Sequence, residues 1–277
     1  MTHPILDHVV VNVMGNLDGA LQQYRRLGFQ LSERGHHTLG SSNHLAIFGE
    51  NYLELLGFEP GRQTQRADLW THPVGLTGLV FKTSDALRLH GDLDTQGLAV
   101  DNPSDFSRPV RLADGLHDAA FRVVRLGSSL VPNGRVFFCQ HFTPDLVWRD
   151  EWRQHQNGVV DIVEFVIAAS DPQKTGDLYR TIFGSQALTD IKGGVAMKAG
   201  RATVLFLTPQ DAESRFPGAV PTSTDGSDRM VALTFKARSV GSVADLLAKN
   251  AVPHTRDADR VVVPHDAAGG VALAFVE

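Results

Sequence analysis

Apolar residues in this chain arrive in short runs of strand length, separated by stretches whose apolar positions repeat at helical spacing. Asp7 to Val13 is a valine-rich run, and Leu17, Leu21, Tyr24 and Leu27 then follow at near-helical intervals up to Gly28, a natural helix stop. Leu31 to Thr38, Asn43 to Phe48 and Tyr52 to Leu56 read as three further strands between glycine-containing turns. The order is β-α-β-β-β. A second module opens at Leu76 to Thr83, continues with a helix over about 84–96, and closes with strands at Phe121 to Leu126 and Val136 to His141. Between them, about 99–119 reads as a long irregular connection carrying Arg108, Arg111 and His117, the kind of segment that is often functional. A third module runs from Val159 through a helix at about 173–183 to the strand Thr203 to Leu207. A fourth runs from Met230 through a helix at about 239–249 to Val271–Val276.

The modules form a repeat. Tyr24-Arg-Arg-Leu-Gly-Phe-Gln30 returns as Tyr179-Arg-Thr-Ile-Phe-Gly-Ser-Gln186, and Val80-Phe-Lys82 returns as Thr234-Phe-Lys236. Carried outward, this register sets Asp7-His8 against Asp161-Ile162, Leu53-Glu54-Leu55 against Leu205-Phe206-Leu207, and His141 near Val276. Polar strand residues of the first half therefore face apolar ones in the second, which suggests one working half and one structural half. The polar stretch Arg149 to Gly158 marks the junction. It implies a first domain over 1–150 (modules 1–75 and 76–150), a linker at 151–158, and a degenerate second domain over 159–277. At 277 residues the chain is long enough for two domains, each with its own core.

Composition narrows the class. A hydrophobic share of 42% with 21% charged residues is that of a globular protein, and the net charge of −5 without a basic stripe argues against nucleic acid as partner. One cysteine, Cys139, excludes an internal disulfide framework and fits a reducing compartment. The apolar runs are too short for a membrane span and the start shows no secretory pattern, so a cytoplasmic location is expected. Signatures of phosphate loops, zinc proteases, serine hydrolases and dithiol redox centres are absent from the sequence.

Side-chain alternation assigns faces: Asp7, Val9, Val11 and Val13 share one side of the first strand, and His8, Val10 and Asn12 the other. In the Tyr52–Leu56 strand, Leu53 and Leu55 fall on the apolar side, leaving Tyr52, Glu54 and Leu56 with the concave face. Phe137, Cys139 and His141 share a face in the last strand of the second module. Glu54, set between leucines, needs a cation, a proton or several donors if it is buried.

Tandem β-α-β-β-β modules with Leu6-Asp-His-Val-Val-Val11, Gly40-Ser-Ser-Asn-His44, Tyr52-Leu-Glu-Leu55, Phe137-Phe-Cys-Gln-His-Phe-Thr-Pro144 and His155-Gln-Asn-Gly158 resemble the glyoxalase-like branch of the vicinal oxygen chelate superfamily. The resemblance implies an α+β fold of four such modules forming two open barrels, with metal ligands on the first and fourth strands of each module. His8, Glu54 and His141 match three of the four positions; the fourth, near Thr77 to Leu79, offers no ligand. Two histidines and one carboxylate suit a divalent ion, Zn, Ni, Mn or Fe. The expected function is a metal-dependent lyase or isomerase chelating vicinal oxygens of a small organic substrate, with Glu54 also moving a proton. Asn43, Tyr52, Arg108 and Arg111 are the expected substrate contacts. An Fe(II) ring-cleaving dioxygenase and a non-catalytic small-molecule binder are the alternatives, and a homodimer is plausible by resemblance. His36, His37 and His44 read as loop or strand-end residues, His155 as a fixing point for the linker, and Glu164 as a residue that does not bind metal.

Overall fold

The computed structural model describes residues 3–223 and 225–277. Its first half comprises β1 (Leu6–Met14), α1 (Leu17–Arg26), β2 (Gly35–His36), β3 (Ser42–Ile47), β4 (Tyr52–Gly57) and α2 (Ala67–Trp70), then β5 (Gly75–Lys82), α3 (Ala86–Thr95), β6 (Ser104–Leu112), β7 (Gly115–Arg125) and β8 (Arg135–His141). The second half repeats this with β9 (Val159–Ala168), α4 (Pro172–Phe183), β10 (Leu188–Ile191), β11 (Gly194–Ala199), β12 (Ala202–Leu207) and α5 (Pro209–Arg215), then β13 (Arg229–Ala237), α6 (Val240–Lys249), β14 (Thr255–Arg256), β15 (Val261–Val263) and β16 (Ala272–Val276). Four β-α-β-β-β modules thus make two mixed eight-stranded sheets, ordered β2-β3-β4-β1-β5-β8-β7-β6 and β10-β11-β12-β9-β13-β16-β15-β14. Each sheet curls into an open barrel. In the first, Thr38 N donates to Ser107 O at 3.2 Å, drawing the chain after β2 towards the opposite edge strand β6.

Local chemistry sets the helices. Leu17, Ala20 and Tyr24 give α1 a buried face, and Gly28 at φ +88° follows it, in a left-handed conformation that a side chain would strain. Asp85 and Asp171 cap α3 and α4 by accepting from Arg88 N at 3.0 Å and Lys174 N at 3.1 Å.

Two expectations change. The connection at 99–119 is not irregular: most of it is the β6–β7 hairpin. Phe106, Arg108 and Val110 alternate inward, and Pro109 is tolerated because β6 is an edge strand; a charged inner residue and a proline hid the alternation. The strand expected over Leu31 to Thr38 shrinks to β2, only Gly35–His36.

The register of the repeat also differs. Phe81 pairs with Leu6 and Val80 with His8; Phe235 pairs with Ile162 and Thr234 with Glu164. With the two Phe-Lys motifs superposed, Glu164 stands in the place of His8. By the same ladders Leu205 stands for Glu54, Ala272 for Arg135, and Val276 for Cys139 rather than for His141. Both first strands carry an extra residue at the same point, Asp7 in β1 and Val163 in β9.

The helix-facing surfaces of both sheets meet in one continuous core rather than in two separate ones. Phe29 lies 5.1 Å from Phe235 and Phe81 lies 5.0 Å from Phe183 between ring centroids, and Tyr24 donates its hydroxyl to Ala268 O at 3.1 Å. Each concave face has its own smaller apolar cluster, around Val10, Leu45 and Val80 in the first barrel and Val166, Leu205 and Ala274 in the second. Among the described residues no helix is long and apolar enough to cross a membrane.

Candidate active site in the first barrel

The extra residue in β1 builds the floor of the first barrel. Strict alternation would turn Asp7 towards the helices with Val9; the bulge between Leu6 and His8 turns Leu6 into the helix-side core and Asp7 inward. Asp7 is fully buried. Its Oδ1 lies 2.5 Å from His8 Nδ1, and both its oxygens lie 3.1 Å from His141 Nε2. Burial on its own would raise the Asp7 pKa. The charge and hydrogen bonds of His141 and His8 outweigh that and hold the carboxyl well below the usual carboxylate range. An ionised carboxylate accepts only, so His8 Nδ1 and His141 Nε2 are the protonated nitrogens. In the neutral ring this leaves His8 Nε2 as the lone pair.

That lone pair faces Glu54. His8 Nε2 is 3.9 Å from Glu54 Oε2, and the His8 ring is stacked on Tyr52 at 4.3 Å with 10° between planes. On the other side of the carboxylate, Asn43 Nδ2 donates to Glu54 Oε1 at 2.6 Å and to His37 Nε2 at 3.0 Å, and His37 Nε2 is 3.7 Å from Glu54 Oε1. Burial pushes Glu54 towards its neutral form, but His37, His8 and the Asn43 hydrogen bond prevail, and its pKa is lowered overall. His37 is pushed down to about 4, chiefly by burial, so it stays neutral as a hydrogen-bond acceptor.

Above this floor is a cavity of about 50 Å³. His8, Asn43, Tyr52, Glu54 and Arg108 all line it, so five of the expected site residues come together. His141 and Arg111 do not line it. His141 lies further along β8, beside the start of β1, where its Nε2 is taken by Asp7. Arg111 is exposed, because it sits an odd number of residues from the inward Arg108 on β6. Asp7, His37, Arg66, Arg125 and Arg135 belong to the site and escaped the sequence reading. The Asp7 bulge leaves no compositional trace, and the arginines lie on strands whose inner face shows only once the barrel is closed.

The missing fourth ligand position has a steric cause. Glu54, Val10, Gly78 and Arg135 lie level across β4, β1, β5 and β8. A Cβ on Gly78 would stand 2.5 Å from Val10 Cβ, so no side chain fits there.

A family model described as "Glyoxalase-like domain" matches residues 6–183, well over half the chain and the whole of the first barrel. The chain belongs to this glyoxalase-like family, within the vicinal oxygen chelate superfamily. Solved structures share the architecture of this glyoxalase-like protein at low identity. A hypothetical protein from Staphylococcus aureus aligns with TM-score 0.64 at 12% identity, over 98% of this chain and 97% of its own. A mutant of 4-hydroxymandelate synthase from Streptomyces coelicolor aligns with TM-score 0.58 at 12% identity, over 100% and 93%. A fusion of a xylose isomerase-like TIM barrel with 4-hydroxyphenylpyruvate dioxygenase also gives 0.58 at 12%, over 100% of this chain and 50% of the fusion. These likenesses establish the fold. Comparison with curated protein sequences returns no significant match.

Members of the superfamily commonly use a divalent metal, and the glyoxalase-like site has donors that fit one. His8 Nε2 is an imidazole lone pair oriented by a carboxylate on its other nitrogen, the usual outer-shell arrangement of a ligating histidine. Glu54 Oε2 is ionised, faces it and has no hydrogen-bond donor among the described residues, while Glu54 Oε1 leads to the neutral His37. Deeper in the barrel, ligand atoms of Asp7, Cys139 and His141 also lie within 4.8 Å of one another. Burial raises the Cys139 thiol well above its ordinary pKa, and Asp7 is already engaged by both histidines. Asp7 and His141 of that trio are joined by hydrogen bonds that carry on to His8.

The equivalent place in the second barrel is closed. Glu164 is bound by Arg215 of α5 and accepts from Thr234 Oγ1 at 2.7 Å on Oε2. An ion pair fills the position where the first barrel keeps a free imidazole nitrogen.

Proposed function

We propose that the first barrel is the active site of a metal-dependent enzyme of lyase or isomerase type, acting on a small organic substrate with adjacent oxygens, and that the second barrel, 159–277, is scaffold. The observation that carries the reading is the Asp7–His8–Glu54 array, a buried imidazole whose free nitrogen faces an ionised carboxylate at the floor of a cavity.

His8 and Glu54 would hold the ion, with His37 the nearest further nitrogen. A bound divalent ion supplies Lewis-acid stabilisation of an oxyanion. The chain's own residues do the rest. Asp7 keeps the His8 ring in one tautomer and plane, and Tyr52 fixes that plane from one side. Asn43 holds Oε1 of Glu54 by a hydrogen bond and so fixes Oε2 facing His8 Nε2. Arg108, 4% exposed and facing the cavity, would bind an anionic oxygen of the substrate and set its approach. Leu45, Leu56 and Phe121 enclose the remaining wall and limit water.

Metal uptake tests the reading. Protein purified without chelator or affinity nickel is expected to bind about one divalent ion per chain, and Glu54→Ala and His8→Ala to lose it. His141→Ala should retain binding more weakly, since His141 acts through Asp7. Unchanged stoichiometric uptake by Glu54→Ala would sink the assignment. A wild-type protein that takes up no metal even after reconstitution would favour a ligand-binding role instead.

A further inference from the structure

The cavity of the first barrel has an imbalance that the proposed metal centre does not absorb. Four arginines line it, Arg66, Arg108, Arg125 and Arg135, against a single acidic residue, Glu54. Asp68, just outside, takes Arg66 through two hydrogen bonds of 3.2 Å. Among the described residues no carboxylate oxygen lies within 4 Å of Arg108, Arg125 or Arg135. Arg125 donates from Nη1 to Ser104 Oγ at 2.8 Å, and the Nε atoms of Arg125 and Arg135 are buried without an acceptor. Glu54 and Asp68 offset two of the four charges. Two remain.

Cations held in a low-dielectric interior without a counter-ion are costly, and close cations repel one another as well. Arg125 and Arg135 come from neighbouring strands: Arg125 pairs with Phe137, two residues along β8 from Arg135, so the two are diagonal neighbours on the concave face. Arg66 joins them from the turn before α2. Packing alone does not require this arrangement, as the second barrel demonstrates. There the ladders put Ala272 in the place of Arg135 and Val262 in the place of Arg125, and that barrel folds around an apolar interior. Arg125 and Arg135 thus stand in the barrel that keeps His8 and Glu54, and their matching positions are apolar in the one where Glu164 is closed off by Arg215.

We propose that Arg66, Arg125 and Arg135 form an anion subsite and that the ligand of the first barrel is a small dianion, with one acidic group in this corner and a second charge near Arg108. Arg135 lies level with Glu54 across the sheet, so an acidic group held there leaves the rest of the molecule beside His8 Nε2 and Glu54. The proposal rests on the first barrel being the ligand site and specifies what that site takes. Dicarboxylates and phosphate monoesters share the required chemistry.

Binding of malonate and of inorganic phosphate, measured by calorimetry and thermal shift at constant ionic strength, tests it, with acetate as the singly charged control. At least one dianion is expected to bind tenfold or more tightly than acetate, and the Arg125→Gln/Arg135→Gln variant to lose at least tenfold. The exposed Arg88→Gln should bind as wild type does. If the double variant does not fold, Arg66→Gln, on the cavity rim, carries the same expectation with a smaller loss. Preference for malonate assigns a dicarboxylate, preference for phosphate a phosphate monoester, and either supports the subsite. Equal binding of dianions and acetate overturns it, as does full affinity in the arginine variants. The same titration on His8→Ala separates this proposal from the metal centre. Retained dianion binding there, with metal uptake lost, shows a subsite independent of the metal ligands, whereas metal uptake without dianion selectivity leaves the enzyme reading standing and the subsite refuted.

Discussion

A carboxylate with no exposed surface persists at Asp7 because two imidazoles share it, and that sharing decides which nitrogen of His8 is free. Asp7→Asn removes the charge and puts a donor, Nδ2, where one of the two acceptor oxygens stood. The expected cost is about 2–4 kcal/mol of folding stability, from breaking a buried charged network. Metal affinity should fall about 10–100-fold, as for other outer-shell partners of a ligating histidine. Urea unfolding and metal titration of the same variant check both, and a variant that loses stability while keeping full affinity would separate Asp7 from the site. At this scale the sequence was legible where alternation was unbroken. His8, Tyr52, Glu54 and Asn43 were singled out because a polar side chain on an apolar strand is conspicuous, and all four line the cavity. Asp7 was assigned to the wrong face because a bulge reverses alternation without altering composition. Glu164 was read as isolated, yet it occupies the place of His8, because the repeat register slips by two residues between motifs.

Among the elements, the segment joining the halves has a defined job. His155 Nδ1 accepts from Gln30 N at 3.0 Å and its Nε2 donates to Ile47 O at 2.8 Å, so one neutral ring ties the end of β3 to the chain after α1. It fixes the linker and does not reach the cavity. Burial lowers the His155 pKa. Because the folded value lies below the ordinary one, the unfolded chain takes up the proton first as pH falls. The stability contributed by His155 is therefore present in full above about pH 6.5 and is lost progressively below it, until the lowered folded value is passed. Urea midpoints at pH 7.5 and 5.5 should fall more in the wild type than in His155→Gln, which cannot titrate; parallel losses would assign the acid sensitivity to other buried histidines such as His44. The strand and helix pattern of all four modules was readable because each has a clear apolar period. The β6–β7 hairpin was not, because its inner face carries Arg108 beside Pro109, and the reason for a charged inner face lies in what the closed barrel encloses.

On the scale of the molecule, the two barrels are not independent. Phe235 of β13 sits 5.1 Å from Phe29 and 5.6 Å from Phe48, so the second half completes the core behind the strands that carry His8 and Glu54. If the first site's geometry needs that support, the second half has a reason to persist although its own Glu164 is paired off by Arg215. The sequence predicted the duplication but not this shared core, because periodicity within a module says which face is apolar and not which neighbour covers it. Removing the Phe235 ring should cost about 3–5 kcal/mol. Trp70 and Trp148 lie in the first half and Trp152 in the linker packed against it, whereas far-ultraviolet dichroism reports both halves. If the core couples the halves, fluorescence and dichroism give coincident unfolding curves, and Phe235→Ala shifts both midpoints together although it lies in the half without tryptophan. A tryptophan transition that stays in place while the dichroism transition moves would mean that the first barrel holds its shape alone, and that the second half persists for some other reason.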